Sequence, residues 1–276
     1  MYNKFTVAIA VYRNDNPEHF YEAVHSIYTI QTLKPSEIII VIDGPIPDNI
    51  ENVLSKLSLE IPIIRQIRFN ENRGHAEARQ AALNASSNEF VALMDADDIS
   101  LPDRFEKQIA FINSHTDVII VGGQISEFVG TPSSVVGKRI VPCINEEIYT
   151  CIKKRCPFNQ VSVMLLRSPI LKTGGYIDWY CEEDYYLWIR MAQAGYKFAN
   201  LPDTLVNVRV GKDMYARRGG WKYFKSEARL QGYMHKNNII NTSRYLFNVL
   251  GRFVIQVAMP NSIRGWVFQK MFRKHK

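Results

Sequence analysis

Residues 89–105 read EFVALMDADDISLPDRF. The stretch opens as a short apolar run, Glu89 to Asp95, with the length and composition of a buried strand. It ends in three carboxylates within four residues, Asp95, Asp97 and Asp98, and then enters a helix-suited segment from Pro102 to Asn113. Three similar units precede it. Phe5 to Val11, Glu37 to Asp43 and Ile63 to Phe69 are runs rich in Ile and Val, bounded by polar or turn-forming residues, and all four read as buried strands. Between them lie stretches suited to helices, Pro17 to Thr29, Asp48 to Leu57 and Gly74 to Ala85. This alternation predicts an α/β fold with right-handed crossovers and a mainly parallel sheet covered on both faces. In such sheets ligands bind beyond the carboxyl ends of the strands. There lie Tyr12 and Arg13, Asp43 and Gly44, Asn70 to Gly74, and Asp95 to Asp98.

The composition agrees with a folded domain. Of 276 residues, 46% are hydrophobic and 22% charged, with 15 Gly and 12 Pro, which excludes a disordered chain, a collagen-like repeat and a small disulfide scaffold. No run approaches the ~18 apolar residues of a membrane span. The first strand begins without a basic segment, apolar run and cleavage site ahead of it, so a cytosolic protein is expected. Cys143, Cys151, Cys156 and Cys181 form no Cys-x-x-Cys pair and have no His at zinc-finger spacing, which predicts reduced thiols. The net charge of +7 is unevenly placed: nine of the 34 Lys and Arg follow Glu227, where no Asp or Glu occurs. The preceding chain therefore holds 25 basic residues against all 27 acids, a slightly acidic body unlike a nucleic-acid-binding domain.

Farther along, Val118 to Val121 and Cys156 to Leu166 read as strands, and Glu183 to Ala194 as a helix stopped by Gly195. No repeat or linker separates this part from the first half. Near the end, Leu246, Val249, Leu250, Phe253, Val254 and Val257 recur at helical spacing opposite Arg244, Arg252 and Gln256, until Pro260. A second amphipathic piece sets Ile263, Trp266, Val267 and Met271 beside Arg264, Lys270 and Arg273.

Three carboxylates in four residues repel one another unless a positive charge sits among them. Hard oxygen donors with little His or Cys nearby suit Mg²⁺ or Mn²⁺, ions that also bridge diphosphates. A solvated turn opening the next helix is the alternative. A calcium loop, with Glu106 twelfth from Asp95, fails at Ile99, which cannot supply a ligand, and at Ser100, where glycine is needed.

Taken in order and spacing, a series of segments resembles family 2 glycosyltransferases, the inverting GT-A enzymes, and especially those building bacterial O-antigens, capsules and exopolysaccharides. These segments are residues 7–12 (VAIAVY), 40–44 (IVIDG), Asn72-Arg73-Gly74 with Ala78-Arg79, 94–98 (MDADD) with 102–105 (PDRF), 174–176 (GGY) and 183–188 (EDYYLW). The resemblance implies a GT-A, Rossmann-like domain over residues 1–225, with a donor-binding half of about 1–122 and an acceptor half of about 123–225, then a basic amphipathic helical segment, 226–276. It implies that the turn of Val11, Tyr12 and Arg13 borders the base of a UDP-sugar and that Asp43 holds its uracil or ribose. Asn72, Gly74 and Arg79 would belong to the same donor site. Asp97 would be the principal ligand of Mn²⁺ or Mg²⁺ with Asp98 beside it, and Asp95, next to Ala96, would face the donor sugar and ribose. In the Glu183-Asp184 pair, Asp184 would take the proton of the acceptor hydroxyl. Arg209, Arg217 and Arg218 would close over a diphosphate. The residues alone also allow Asp43 as a turn residue, Glu182 to Asp184 as a helix cap, and the arginines as an exposed charge run. Two departures stand out: a single Asp43 where many relatives have two acids, and Gln160 where His is expected after Pro157-Phe158-Asn159.

The activity so implied is transfer of a hexose, glucose or galactose, from UDP to a GlcNAc or GalNAc on undecaprenyl diphosphate. The linkage would be β, and β-1,3 in the subgroup, made in O-antigen or capsule biosynthesis at the inner face of a bacterial inner membrane. The basic C-terminal segment would meet the anionic membrane surface; packing of Leu246, Phe253 and their neighbours on the body is the alternative. A nucleotide-sugar pyrophosphorylase would need a Gly-rich loop with a Lys or Arg after the first strand, where this chain has residues 12–16, YRNDN. A non-enzymatic nucleic-acid or membrane adaptor would leave the clustered aspartates without a purpose.

Overall fold

The computed structural model describes residues 4–211 and 219–259. Four strand–helix units open the chain: β1 (Thr6–Val11) and α1 (Pro17–Ser26), β2 (Glu37–Ile42) and α2 (Asp48–Glu60), β3 (Ile64–Arg68) and α3 (His75–Ala85), then β4 (Phe90–Met94). A two-residue strand β5 (Ile99–Ser100) interrupts the last unit before α4 (Arg104–Ser114). There follow β6 (Val118–Phe128), β7 (Val135–Arg139), α5 (Asn145–Ile152), β8 (Met164–Leu166), α6 (Arg167–Lys172), α7 (Glu183–Gln193) and β9 (Lys197–Arg209). Two helices close the described chain, α8 (Trp221–Lys236) and α9 (Thr242–Phe253), the second running on as a π-turn, Val254–Ala258.

The described strands form one nine-stranded sheet in the order β3-β2-β1-β4-β8-β6-β9-β5, with β7 paired to β6. The expected parallel arrangement holds for β1 with β2 and β4, for β2 with β3, and for β6 with β9. The seam between the two parts is antiparallel: three-residue β8 pairs with β4 on one side and β6 on the other. The result is a mixed sheet. Alternation along β1 divides the core between the two faces. Val7, Ile9 and Val11 join Phe20, Leu54 and Phe105 on one side, whereas Ala8 joins Ala78, Leu83 and Trp188 on the other.

Some sequence expectations need correction. β3 lies at the sheet edge with Arg65, Gln66 and Arg68 partly or fully exposed, so it is not a buried strand. The expected strand from Cys156 to Leu166 shrinks to Met164–Leu166. A 3-10 turn over Gln160–Ser162 precedes it, where Asn159 Nδ2 donates to the Gly123 carbonyl at 2.8 Å. β6 extends well past Val121 because its partner β9, with Pro202 inside it, follows it to Phe128 through three register shifts.

The C-terminal helices present an inverted pattern. Asn248 is the one buried residue of α9, and Gln256 is buried one turn beyond the helix end. The apolar side chains of Leu246, Phe247, Leu250, Phe253 and Val254 are exposed. No described helix is long and apolar enough to cross a membrane.

Candidate active site

A cavity of about 680 Å³ opens at the carboxyl ends of β1, β2 and β4. It gathers residues from distant parts of the chain: Val11 and Tyr12, Asp43, Asn72 and Gly74, Arg79, Asp95 to Asp98, Glu183 and Arg209 all line it. Arg13 is exposed and Asp184 half-buried, and neither is among the lining residues. The anticipated roles of Arg217 and Arg218 fall outside the described residues.

Asp43 follows β2 and is buried. Its Oδ2 accepts from Asn72 Nδ2 at 3.0 Å and from the Gly74 N–H at 2.9 Å, and its Oδ1 accepts from the Arg73 N–H at 2.6 Å. The carboxylate therefore clamps the loop before α3, and of its roughly four acceptor positions one is left for a ligand. The clamp depends on Gly44. Its φ of +88° is left-handed, and a Cβ there would stand 2.6 Å from the Asn72 nitrogen. Gly44→Ala is expected to cost about 1–3 kcal/mol in chemical denaturation; an unchanged midpoint would show that the loop yields instead.

The acidic turn after β4 is bound from two sides. Asp98 is buried, and its Oδ1 accepts from the Arg209 N–H at 2.8 Å. Arg209 also donates from Nε to the Asp97 carbonyl at 3.1 Å, from Nη1 to the Gly130 carbonyl, and from Nη2 to Glu22 at 2.7 Å. These donors hold the turn and leave the Arg209 guanidinium little to offer a diphosphate. Beneath the turn lies Arg104, fully buried, donating from Nη2 to the Leu93 carbonyl at 2.8 Å and from Nε to Gln108. Burial pulls its pKa down to about 9 despite the attraction of Asp95 and Asp98. Burial pushes the Asp98 carboxyl up, as do Asp97 and Asp95. Asp15, in the turn after β1, was not anticipated from sequence. Burial carries its carboxyl to about 7, with Asp97 and Asp95 adding to the rise, although the Tyr12 N–H donates to it at 2.9 Å.

Four carboxylates thus crowd one end of the cavity, and as hard oxygen donors they fit Mg²⁺ or Mn²⁺. Among the described residues no three His, Cys, Asp or Glu side chains form a group that could hold a metal ion alone. Such an ion at a nucleotide site keeps one or two carboxylates and completes its shell with water and phosphate oxygens.

Arg79, on α3, joins this end to the start of α7. Its Nη1 meets Glu183 Oε1 at 2.8 Å and its Nη2 meets Asp95 Oδ1 at 3.4 Å. Asp184 follows in the first turn of α7, its Oδ1 accepting the Tyr185 N–H at 2.6 Å and its Oδ2 lying 3.9 Å from the Cys156 thiol. Burial, then Glu183, push the Asp184 carboxyl up to about 6, against Arg79 and the Tyr185 N–H. Gln160 donates to the Tyr176 hydroxyl at 2.7 Å, and the Tyr176 N–H donates to Gln80 at 2.7 Å, tying residue 176 to α3.

A family model described as glycosyl transferase family 2 matches residues 6–175. Over 271 residues the chain is 38% identical to an uncharacterized glycosyltransferase of Haemophilus influenzae, covering 98% of this chain and 100% of that one. It is 32% identical over 271 residues to the UDP-Gal:alpha-D-GlcNAc-diphosphoundecaprenol beta-1,3-galactosyltransferase of Escherichia coli, covering 98% of this chain and 97% of that one. Among solved structures, the mannosyltransferase PcManGT from Pyrobaculum calidifontis, in complex with GDP-Man and Mn²⁺, is similar with a TM-score of 0.63. That match has 15% identity and covers 96% of this chain and 74% of that one.

Proposed function

The chain belongs to glycosyl transferase family 2, and from that premise we propose that it transfers glucose or galactose from UDP to a GlcNAc or GalNAc carried on undecaprenyl diphosphate, forming a β-linkage, β-1,3 by preference. It is a glycosyltransferase of GT-A fold, with relatives in bacterial surface-polysaccharide synthesis. The donor, acceptor and linkage follow the activity named for the E. coli relative and for a β-1,3-glucosyltransferase acting on the same lipid-linked GlcNAc. One observation carries the reading: a single cavity holds the acidic turn 95–98 and, through Arg79, the start of α7 with Glu183.

The chemistry is one displacement. The acceptor hydroxyl oxygen forms a bond to the anomeric carbon as the bond from that carbon to UDP breaks, inverting the configuration. Asp184 takes the hydroxyl proton. Glu183 is instead engaged in an ion pair with Arg79. Asp43, with its free acceptor position, receives the uracil N–H beside Tyr12. Asp97 and Asp95 would hold Mn²⁺ or Mg²⁺, which supplies positive charge to the departing diphosphate when bound. Asp98 and Arg209 keep the turn in shape. An undecaprenyl-linked acceptor would put the reaction at the inner face of a bacterial membrane.

The pH dependence follows from Asp184. A base acts only when deprotonated, so a carboxyl pushed up to about 6 gives transfer that falls below pH 6 and levels above it. A rate profile whose acid limb lies near 4 would assign the proton to another group. The class itself is tested by offering UDP-glucose and UDP-galactose with a synthetic GlcNAc-diphosphate-lipid, with Mn²⁺ or with chelator, and reading the product by NMR. One sugar transferred with β configuration, and lost in chelator, is the expected result. An α product, or chelator-insensitive transfer, would overturn it.

A further inference from the structure

Helix α9 faces the wrong way for a helix packed on a protein. Beside Tyr245, whose ring stacks 5.1 Å from that of His235, its inward stripe is mainly polar: Asn248 Nδ2 donates to Gln231 Oε1 at 2.8 Å and to the Lys153 carbonyl at 3.1 Å. One turn on, Arg252 donates from Nη2 to the Lys154 carbonyl at 2.8 Å, and its Nε pairs with Glu227 at 3.0 Å. One turn further, Gln256 donates to the same Glu227, and its carbonyl accepts from the Gly220 N–H at 2.9 Å. These bonds fix the rotation of the helix about its axis. Its outward stripe is therefore apolar by construction, with Phe247 71% and Leu250 62% exposed, flanked by Leu246, Phe253 and Val254. Trp221, also exposed, extends the stripe: its ring lies 6.3 Å from that of Phe253.

A contiguous exposed apolar strip marks an interaction site. Its charged surroundings select the partner. α9 carries Arg244 and no acid, Lys222 and Lys225 flank Trp221 on α8, and five further Lys and Arg with no acid follow Met259. A second copy of the chain, docked through the same strip, would bring these positive groups against their own kind. We infer that the outward stripe of α9, with Trp221, is the face on which the protein lies against an anionic lipid bilayer. Its apolar side chains enter the headgroup boundary while Lys222, Lys225 and Arg244 meet lipid phosphates. This deepens the proposed function, resting on its lipid-linked acceptor. It assigns the contact to α9 and α8 rather than to the basic chain end alone.

The test is co-sedimentation of the full-length chain with vesicles of phosphatidylglycerol and phosphatidylcholine, and with phosphatidylcholine alone. Phe247→Ser/Leu250→Ser is compared with a control, Leu59→Ser, which removes a side chain 88% exposed on α2. The expected result is binding to the anionic vesicles that is at least about tenfold weaker in the double variant, unchanged in the control, and much weaker to neutral vesicles. Both variants change exposed side chains, and unaltered thermal unfolding confirms that they fold. Equal vesicle binding by double variant and wild type would overturn the assignment. So would equal binding to neutral vesicles, or a dimer in sedimentation velocity that the double variant abolishes. Transfer to a water-soluble, short-chain acceptor diphosphate reports on the proposed function separately and is expected to be the same in all three proteins.

Discussion

Asp184→Asn is expected to leave the affinity for a UDP-sugar within about twofold while lowering transfer by roughly 10²–10⁴, the usual contribution of a positioned general base. The substitution keeps the shape of the side chain and an oxygen able to accept the Tyr185 N–H, so the first turn of α7 is retained. It removes the ability to take a proton together with the carboxylate charge that faces Arg79. Asp184 is absent from the lining of the cavity that holds the acidic turn, so donor binding has no reason to follow. Calorimetry with UDP-glucose and UDP-galactose, beside steady-state transfer, separates the two quantities. Donor affinity falling in parallel with rate would mean that Asp184 supports structure and that the proton goes elsewhere. Glu183→Gln gives a contrast: it breaks a 2.8 Å ion pair with Arg79, and that guanidinium also touches Asp95, so donor binding should change along with rate.

Asp97→Ala is expected to abolish the strengthening of UDP binding by Mn²⁺ and to lower transfer by about 10²–10³, since stabilising a leaving diphosphate is worth several kcal/mol. The acidic end of the cavity explains why the effect is directional. Asp97 adds to the rise of the Asp15 carboxyl, which burial carries to about 7, so removing Asp97 eases a repulsion there. A variant as stable as wild type yet indifferent to Mn²⁺ is the signature of a ligand. Retained Mn²⁺ dependence would move the assignment to Asp95.

Much of the donor side was legible because its strands are short apolar runs whose ends coincide with the acids. β1, β2 and β4 fall within a residue or so of the runs that predicted them, and Asp43, Asn72, Gly74 and Asp95 to Asp98 meet in one cavity as their positions at strand ends require. Order within the sheet was not legible. β3 is rich enough in isoleucine to suggest burial, yet its place at the edge depends on which neighbours it lacks. β9 was missed because Pro202 breaks its local pattern, while its long pairing with β6 restores the strand. The countercharge beneath the acids was equally hidden. Arg104 stands in the opening of a helix, and only the folded chain shows its guanidinium buried against the Leu93 carbonyl. The amphipathic period of α9 was legible but its rotation was not: Glu227, Gln231 and the carbonyls of Lys153 and Lys154 supply the partners that turn its polar side inward.

The three residues of β8 have a consequence for recombining this enzyme with its relatives. They bond to β4 on one side and to β6 on the other, so the backbone ladder runs unbroken from the strands beneath the acidic turn to those of the later half. A chimera spliced between the halves would ask one short strand to match two ladders of different parentage, with β6 and β9 shifting register alongside it. Exchange of acceptor preference is therefore better sought by grafting surface segments onto an intact sheet than by swapping halves. The same continuity makes a wide hinged opening between the halves costly.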